Sequence, residues 1–219
     1  RSLGKEQEKV YAPWISAVAK IRPLLLDGKC ARTADLTDEE KAAVYDMFLL
    51  TMKPTLYVAN VDEDTIADGT NKYVEIVKKY ADEEKSEVVV ICGKFEADLA
   101  EIDDPADRKD FMESVGLKES GLAVLARKAY HLMGLRTFFT GGPDECRAWT
   151  IHNGDKAPRA AGVIHTDFEK GFIKAEAYTI DDLRQYKDEA SIKAAGKYRQ
   201  EGKEYVVQDG DVLFFKFNN

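Results

Sequence analysis

Two apolar segments on either side of a helical one constrain this chain more than any other feature. Residues 55–61, Thr-Leu-Tyr-Val-Ala-Asn-Val, form a short β-rich run, and residues 87–92, Glu-Val-Val-Val-Ile-Cys, form a second. The second run does not alternate between apolar and polar residues, which is typical of a strand buried on both faces. A helix is predicted between them, from about Asn71 to Tyr80. Strand, helix and strand in this order predict a βαβ unit and a parallel sheet.

Helical patterns precede this unit. Apolar residues at steps of three and four predict a helix along residues 10–25, where Pro13 and Pro23 should kink or interrupt it. Residues 37–40, Thr-Asp-Glu-Glu, match a capping box and predict a second helix that runs through Leu50.

Further helices are predicted on the other side of the unit, and then the pattern changes. The helices are expected at 105–115 and 122–132, and the sequence Met-Gly-Leu at 133–135 is interpreted as a boundary. Beyond it, strands are predicted at 137–140, 147–151 and 172–179, with one principal helix at 158–168. An Asp-Gly pair within residues 205–217 predicts a closing hairpin. These elements indicate a small α+β domain.

Composition narrows the class of protein. The chain has 219 residues, of which 44% are hydrophobic and 33% charged, so a soluble, cytoplasmic protein with one large or two small domains is expected. No window approaches the roughly 18 apolar residues of a membrane helix. The first residues contain neither an initiator methionine nor the apolar core of a secretory signal, and we interpret them as a cut edge.

The charge distribution bears on partners. The net charge of −8 argues against general adhesion to nucleic acid. Residues 136–219 carry 13 basic and 14 acidic side chains, whereas residues 1–135 carry 19 and 26. If one of these two parts approaches RNA, residues 136–219 are the better candidate. The three cysteines lie far apart and none has metal-ligand spacing to a histidine, so free thiols and no metal site are expected.

Several stretches together resemble one protein family. They are residues 49–63 (Leu-Leu-Thr-Met-Lys-Pro-Thr-Leu-Tyr-Val-Ala-Asn-Val-Asp-Glu), 147–151 (Arg-Ala-Trp-Thr-Ile), 156–158 (Lys-Ala-Pro), 160–173 (Ala-Ala-Gly-Val-Ile-His-Thr-Asp-Phe-Glu-Lys-Gly-Phe-Ile), 195–199 (Ala-Gly-Lys-Tyr-Arg), 201–203 (Glu-Gly-Lys) and 208–211 (Gln-Asp-Gly-Asp). The chain is similar to the C-terminal part of the YchF/Obg-like ATPases, which are ribosome-associated P-loop ATPases. The segment from His165 to Ile173 is the most specific.

The resemblance implies an α/β plus α+β architecture. Residues 1–44 would be part of a helical (coiled-coil) insertion. Residues 45–134 would be the C-terminal part of an OBG-type P-loop nucleotide domain with a parallel sheet. Residues 135–219 would be a β-grasp TGS domain, which we expect to fold independently.

The phosphate-binding loop of that family is not found in this sequence. Such a loop needs GxxxxGK followed by Ser or Thr, whose hydroxyl binds Mg²⁺. Gly-Lys pairs begin at positions 4, 28, 93, 196 and 202, and none is followed by Ser or Thr. The resemblance implies ATP and Mg²⁺ for the full-length protein. This chain alone is predicted to bind neither and to be catalytically inactive.

Two loops remain as candidates for contacts with a nucleotide base. Asn60, Val61 and Glu63 follow the first strand, where ligands of open α/β sheets bind. Guanine-specific relatives carry Asn-Lys-x-Asp there, and the Asp accepts hydrogen bonds from N1–H and N2–H₂ of guanine. Adenine offers an amino group beside the N7 acceptor instead, which an Asn amide matches. A Val and a Glu in place of Lys and Asp therefore favour adenine.

The second candidate loop follows the second strand. Cys92, Gly93 and Lys94 occupy the position that corresponds to the second base-contacting loop of the family. For both loops, an ordinary turn at the end of a strand is the alternative interpretation.

Partner contacts are expected in the second part. The candidates are its basic residues Arg159, Lys170, Lys174, Lys197, Arg199 and Lys203, with the ribosome, ribosomal RNA or tRNA as partner and with neither a membrane nor sequence-specific DNA. Ordinary surface charge is the alternative. One or two side chains of the aromatic set, otherwise core, are expected to be exposed for stacking on single-stranded RNA. The set is Phe138, Phe139, Trp149, Phe168, Phe172, Phe214, Phe215 and Phe217.

Other functions remain open or are disfavoured. A non-enzymatic RNA- or ribosome-binding TGS module on an α/β scaffold is the main alternative. The TGS portion of a threonyl-tRNA synthetase or stringent-response enzyme is less favoured, because those chains lack the region around Asn60. The sequence His-Thr-Asp at 165–167 is not read as a catalytic triad, because adjacent helical residues point in different directions.

Overall fold

A computed structural model describes residues 5–142 and 145–218, and the side chains from residue 10 onward within these ranges. The chain folds as two compact units, Arg1–Ala129 and Tyr130–Asn219. None of the helices in the described ranges is long and apolar enough to cross a membrane.

The first unit begins with helices and continues into a two-stranded sheet. Its elements are α1 (Lys5–Leu26), α2 (Asp38–Ala43), β1 (Leu56–Asn60), α3 (Glu63–Ile66), α4 (Lys72–Glu83), β2 (Glu87–Ile91), α5 (Gly93–Ala100), α6 (Pro105–Ser114) and α7 (Gly121–Leu132). Short 3₁₀ turns lie at Ala31–Thr33, Tyr45–Met47 and Leu50–Met52.

The predicted βαβ unit is confirmed. β1 and β2 pair in parallel, from Leu56 opposite Glu87 to Asn60 opposite Ile91. Between them, α4 begins where the Asn71 side chain accepts hydrogen bonds from the N–H groups of Tyr73 and Val74. This is ordinary N-capping, which satisfies amide groups that have no partner within the helix.

Two predictions for the helices before β1 are wrong in part. α1 continues through Pro13 and Pro23 instead of being interrupted. It buries Ala17 and Ile21 in an apolar cluster, and this packing offsets the backbone hydrogen bonds that the prolines remove. The capping box at Thr37 is confirmed. The helix that follows it ends at Ala43 rather than Leu50, and Phe48 adopts a left-handed conformation (φ 48°) that a regular helix excludes.

Helix α5 was not predicted, because its first residues, Gly-Lys, resemble a turn. Tertiary packing stabilises it. Phe95 and Leu99 are buried, and the Phe95 ring stacks on Phe111 of α6 with centroids 4.9 Å apart. The short helix α3 was missed as well, and Ile66 anchors it in the same cluster.

A buried ionic network holds the start of the sheet in place. Glu84 is 8% exposed, and its carboxylate accepts hydrogen bonds from the Tyr57 hydroxyl at 2.8 Å and from Nη2 of Arg32 at 3.1 Å. Nη1 of Arg32 donates to the carbonyl of Lys53 at 2.9 Å. Hydrogen bonds from Cys30, Tyr57 and Arg32 lower the pKa of Glu84 to about 2. The network joins the end of α4 to β1 and to the segment that leads into β1.

The second unit is a five-stranded mixed sheet with helices. Its elements are β3 (Leu135–Gly141), β4 (Cys146–His152), α8 (Ala157–Ile164), α9 (Thr166–Lys170), β5 (Phe172–Thr179), α10 (Ile180–Tyr186), α11 (Glu189–Ala194), β6 (Arg199–Glu201) and β7 (Asp211–Phe217). The strand order is β4-β3-β7-β5-β6, with β3 and β7 parallel and the other pairs antiparallel.

One face of this sheet carries the core. Phe138, Ile151, Leu213 and Phe215 pack against the small residues of α8, Ala157, Ala160 and Ala161. A mixed sheet whose first and last strands lie parallel at its centre, with a helix on one face, is consistent with a β-grasp domain.

The predicted closing hairpin is wrong. β7 pairs with β5 and β3, and residues 205–208 form no strand beyond a single bridge between Lys156 and Val206. Asp211 is fully buried at the start of β7. Its carboxylate accepts hydrogen bonds from the Gln208 N–H at 2.9 Å and from the Tyr205 hydroxyl at 2.7 Å. These bonds fold residues 205–210 into a loop, so the Asp-Gly pair sits in a turn that leads into the sheet centre.

The helix predicted at 158–168 and the helix count also need correction. The helix divides at His165, whose backbone is extended and whose Nδ1 accepts a hydrogen bond from the Asp167 N–H. α10, α11 and β6 were not predicted, so this unit has more than one principal helix. Burial of Ile192 against Tyr178 and Val212 holds α11 on the sheet, a long-range contact that local sequence patterns do not reveal.

We predict that Glu84→Gln lowers the free energy of unfolding by about 3 kcal/mol at neutral pH, because Arg32 loses its charged partner in a buried site. The pKa of Glu84 is lowered from 4.5, so its contribution is present above pH 4.5 and is lost as the pH falls toward 2. Urea unfolding at several pH values measures both effects. The variant should also be less sensitive to acid than the wild type.

The matched control is Glu87→Gln, which removes the partner of Lys128 in a partly exposed ion pair. This substitution should lower the free energy of unfolding by less than about 1 kcal/mol. Equal losses in the two variants would contradict a special role for Glu84.

Candidate nucleotide-base site

The candidate site lies at the carboxyl edge of the parallel pair. β1 ends at Asn60 and β2 at Ile91, and these two residues are direct partners in the register. Residues 60–63 and 92–94 therefore leave the sheet side by side. This edge is where open α/β sheets bind their ligands.

A hydrogen bond joins the two loops. Oδ1 of Asn60 accepts the N–H of Gly93 at 2.9 Å, and the Asn60 side chain is exposed. The bond fixes the orientation of the amide and leaves its NH₂ group to donate to a ligand. A Cβ at Gly93 would lie 3.3 Å from the same oxygen, so glycine permits this close approach.

An ion pair joins the same loops a second time. Nζ of Lys94 lies 2.7 Å from Oε2 of Glu63, and both side chains are largely exposed. The hydrogen bond to Glu63 and its negative charge raise the pKa of Lys94. Lys94 therefore holds one oxygen of the Glu63 carboxylate, and Oε1 remains to accept a hydrogen bond.

Val61 and Cys92 contribute through the backbone and the core. The N–H of Val61 donates to the carbonyl of Ile91 at 2.8 Å, which extends the parallel pairing by one bond. The Val61 side chain packs against Phe95 and the buried Cys92. Of the six residues predicted at this site, Asn60, Glu63, Gly93 and Lys94 are brought together at the surface, whereas Cys92 lies beneath them.

A cleft of about 360 Å³ opens beside Asn60, between the end of β1 and α4. Its lining consists of Ala59, Asn60, Val61, Asp62, Asn71, Tyr73, Val74 and Val77. Sequence reasoning missed Asp62, Asn71 and Tyr73 as neighbours of the site. The Asn-x-x-Asp/Glu spacing includes Asp62, and Asn71 was recognised only as the start of a helix. Gly93 and Lys94 do not line this cleft.

The exposed polar groups of the candidate site determine which chemistry it offers to a ligand. It presents an amide donor and a carboxylate acceptor at one edge, which suit the edge of a base. In the described parts of the chain, no three His, Cys, Asp or Glu side chains lie close enough together to hold a metal ion.

The six basic residues predicted to contact a partner are dispersed over the second unit. Arg199 lies on the core face of the sheet opposite Ala177, and its Nη2 binds the buried Asp211 at 3.2 Å. Lys174 lies on the other face and donates to Gln200 at 3.1 Å. Arg159 pairs with Glu169 at 3.7 Å. Lys170, Lys197 and Lys203 are exposed.

Comparison with known proteins identifies the family. A family model described as YchF-GTPase_C, protein of unknown function (DUF933), matches residues 135–218. The chain is 45% identical over 99% of its length to the ribosome-binding ATPase YchF of Bacillus subtilis, and 40% identical over 96% to the Obg-like ATPase 1 of Xenopus laevis. The chain belongs to the YchF/Obg-like ATPase family. It spans 59% of the Bacillus relative and 54% of the Xenopus relative, so less than two thirds of either.

Solved structures agree with the family assignment. The Schizosaccharomyces pombe YchF GTPase matches 99% of this chain with a TM-score of 0.84 at 33% identity, and the match covers 57% of that protein. A GTP binding protein from Pyrococcus horikoshii matches with a TM-score of 0.53 at 16% identity, which supports the fold alone. The recognition of the family from the sequence is confirmed.

We predict that Asn60→Ala makes the Gly93 amide exchange its hydrogen about three to ten times faster, because the amide loses its acceptor. Hydrogen exchange followed by NMR measures this at single-residue resolution. Asn60→Asp is the control, since its carboxylate keeps an acceptor oxygen in the same place and should preserve protection. Unchanged exchange in Asn60→Ala would show that this hydrogen bond does not join the loops in solution.

Proposed function

We propose that this chain is the C-terminal portion of a cytoplasmic, ribosome-binding ATPase and that its two strand-end loops read the adenine base of ATP. The observation that carries the proposal is the hydrogen bond from Gly93 to Asn60, which fixes the amide at the ligand edge of the sheet. The phosphates and Mg²⁺ are bound by residues outside these 219. The chain alone therefore binds no cofactor and has no turnover.

The geometry of Glu63 supports adenine over guanine. The N1–H and N2–H₂ groups of guanine require a carboxylate that presents both oxygens. Lys94 holds Oε2 of Glu63, which leaves Oε1 for a single donor such as the N6 amino group of adenine. The free NH₂ group of Asn60 donates to N7 of the base. The names of the relatives include both ATPase and GTPase, so the choice of base needs direct measurement.

We further propose the domain boundaries that the resemblance implies. Residues 1–44 belong to a helical insertion, residues 45–134 to an OBG-type P-loop nucleotide domain, and residues 135–219 to a TGS domain of the β-grasp fold. The sheet in the described part of the first unit has two strands, which supports an incomplete nucleotide domain, because stable open sheets usually have more strands. Apolar side chains exposed on it and on α4 support the same view, namely Val58, Tyr73 and Ile76.

Ribosome binding is assigned to the second unit. Its nearly balanced charge and its exposed Lys170, Lys197 and Lys203 support contact with ribosomal RNA or tRNA. A non-enzymatic RNA- or ribosome-binding module is the second candidate. It is favoured by the fact that none of the Gly-Lys pairs in the sequence is followed by Ser or Thr.

We predict that the full-length protein binds ATP more tightly than GTP. Val61→Lys combined with Glu63→Asp should shift the preference toward GTP, because the shorter carboxylate moves away from Lys94 and matches the guanine pattern. Loss or gain of one bidentate base contact changes the difference in binding free energy between the two nucleotides by roughly 1–3 kcal/mol. Competition binding with the two nucleotides measures the ratio.

The single variant Val61→Lys is the control for the added charge. An unchanged ratio in the double variant would contradict base reading by these loops. Absence of all nucleotide binding in the full-length protein would favour the non-enzymatic module.

We predict that the chain co-sediments with ribosomes. A triple variant in which Lys170, Lys197 and Lys203 are all changed to alanine should bind ribosomes with lower affinity and with a weaker dependence on salt. Each lost phosphate contact lowers the slope of the logarithm of the binding constant against the logarithm of the salt concentration by roughly one. Arg199 is left unchanged, because its removal would leave the buried Asp211 without a cationic partner. Co-sedimentation at several salt concentrations measures the slope.

The matched control changes Lys79, Lys109 and Lys118 in the first unit, which are also exposed, to alanine. It removes the same charge and should leave binding nearly unchanged. Equal effects of the two triple variants would show that the ribosome does not contact the predicted lysines.

A further inference from the structure

In the described part of the second unit, no helix of that unit covers one part of one face of the five-stranded sheet. Opposite the core, β5 presents Lys174 and Glu176, β7 presents Phe214 and Lys216, and β6 presents Gln200. Helices α10 and α11 pack farther along the same face, over Tyr178 and Val212. We call the five residues 174, 176, 200, 214 and 216 the open face.

An exposed aromatic ring on β7 lies opposite Glu176 on the open face. Phe214 is 52% exposed, whereas its chain neighbours Leu213 and Phe215 are buried on the other side of the sheet. Nζ of Lys216 lies 4.1 Å from the centroid of the Phe214 ring. Exposure of a large ring costs free energy that burial of Phe214 would recover, so the fold leaves a flat apolar surface available for a ligand.

The lysines on this face are arranged for an anion. Lys174 and Lys216 are direct partners on neighbouring strands, and like charges in that position are destabilising. Glu176 lies between them, 3.9 Å from each Nζ, and the Tyr198 hydroxyl donates to its carboxylate at 3.1 Å. One half-buried carboxylate thus offsets two lysines, and the group keeps a net positive charge.

These features distinguish between kinds of ligand. Protein interfaces are depleted in lysine at their centre and enriched in apolar residues, whereas on this face one ring lies beside a row of two lysines. A base in a duplex is already stacked on its neighbours and cannot lie on the ring. An unpaired base can stack on it, while the phosphates that continue the strand past this base reach the row of lysines.

We propose that the open face binds single-stranded RNA, with one base stacked on Phe214 and the adjacent phosphates paired with Lys174 and Lys216. This inference rests on the proposed ribosome-binding function and names the surface and the form of RNA. Phe214 is one of the eight aromatic residues among which the sequence predicted one or two stacking positions. The proposed RNA contact includes Lys174, which is one of the basic residues predicted from the sequence, and Lys216, which is not.

The test measures binding of the 219-residue chain to a fluorescent oligoadenylate of about ten nucleotides, and to a duplex of the same length. Phe214→Ala should weaken binding to the single strand about tenfold or more. Phe214→Trp should keep the affinity, and its emission should be quenched when a base stacks on the indole. Lys174→Ala and Lys216→Ala should each lower the salt slope by roughly 0.7.

The matched control is Val163→Ala, which removes another exposed apolar side chain, 40% exposed on α8. It should bind the single strand as the wild type does. Thermal unfolding of each variant establishes that it is folded. If Phe214→Ala does not fold, quenching of the Phe214→Trp variant by the oligonucleotide decides the result.

Three outcomes would overturn the proposal. Stacking on this ring is excluded if the Phe214→Ala variant binds the single strand as well as the Val163→Ala variant does. Tighter binding of the duplex than of the single strand would exclude an unpaired base. Loss of ribosome co-sedimentation in Phe214→Ala, without any change in oligonucleotide binding, would assign the face to a protein. The first two outcomes leave the ribosome-binding proposal intact if the wild-type chain still co-sediments with ribosomes. If the wild-type chain does not co-sediment, the ribosome-binding proposal fails independently of the result for the open face.

Discussion

Parallel pairing of two strands is the constraint on which the candidate site depends. Because β1 and β2 run in the same direction and end opposite each other, the residues after Asn60 and after Ile91 emerge at one edge. Antiparallel pairing would place these two loops at opposite ends of the sheet. Parallel pairing in turn needs the intervening crossover, which α4 provides. The Asn60–Gly93 hydrogen bond and the Glu63–Lys94 ion pair both follow from this arrangement.

Buried charges organise the rest of each unit. Glu84 holds Arg32 and Tyr57 at the start of β1, and Asp211 holds Arg199, Tyr205 and the Gln208 amide at the start of β7. Burial and the hydrogen bond to Asp211 raise the pKa of Tyr205 to about 12. Several donors surround each of these two carboxylates, which offsets the cost of their burial, since an unpaired buried charge is far more costly than a paired one.

These networks explain which predictions from the sequence failed. Arg199 resembles the other surface cations in the sequence, yet its partner is a buried aspartate twelve residues away. The Asp-Gly pair near the C-terminus has the signature of a hairpin, but Asp211 uses its side chain to fold the preceding loop instead. The prolines of α1 predict a kink or an interruption; the helix is not interrupted, and burial of Ala17 and Ile21 outweighs that local effect. In each case a side-chain contact or the burial of apolar side chains outweighs the preference that the local pattern indicates.

The sequence by itself determined the βαβ unit, the capping box at Thr37, the strand at 172–179, the family, and the two loops that leave the parallel strands at one edge. The first three follow from apolar periodicity and side-chain capping, which act within a few residues, whereas the family and its two loops follow from the resemblance of several stretches. Only the tertiary structure decided that Cys92 lies beneath the site, that Lys94 holds one oxygen of Glu63, and that Phe214 rather than Phe215 is exposed. Burial and pairing depend on which elements meet in space, and contacts between residues about 30 positions apart have no signature in the local sequence.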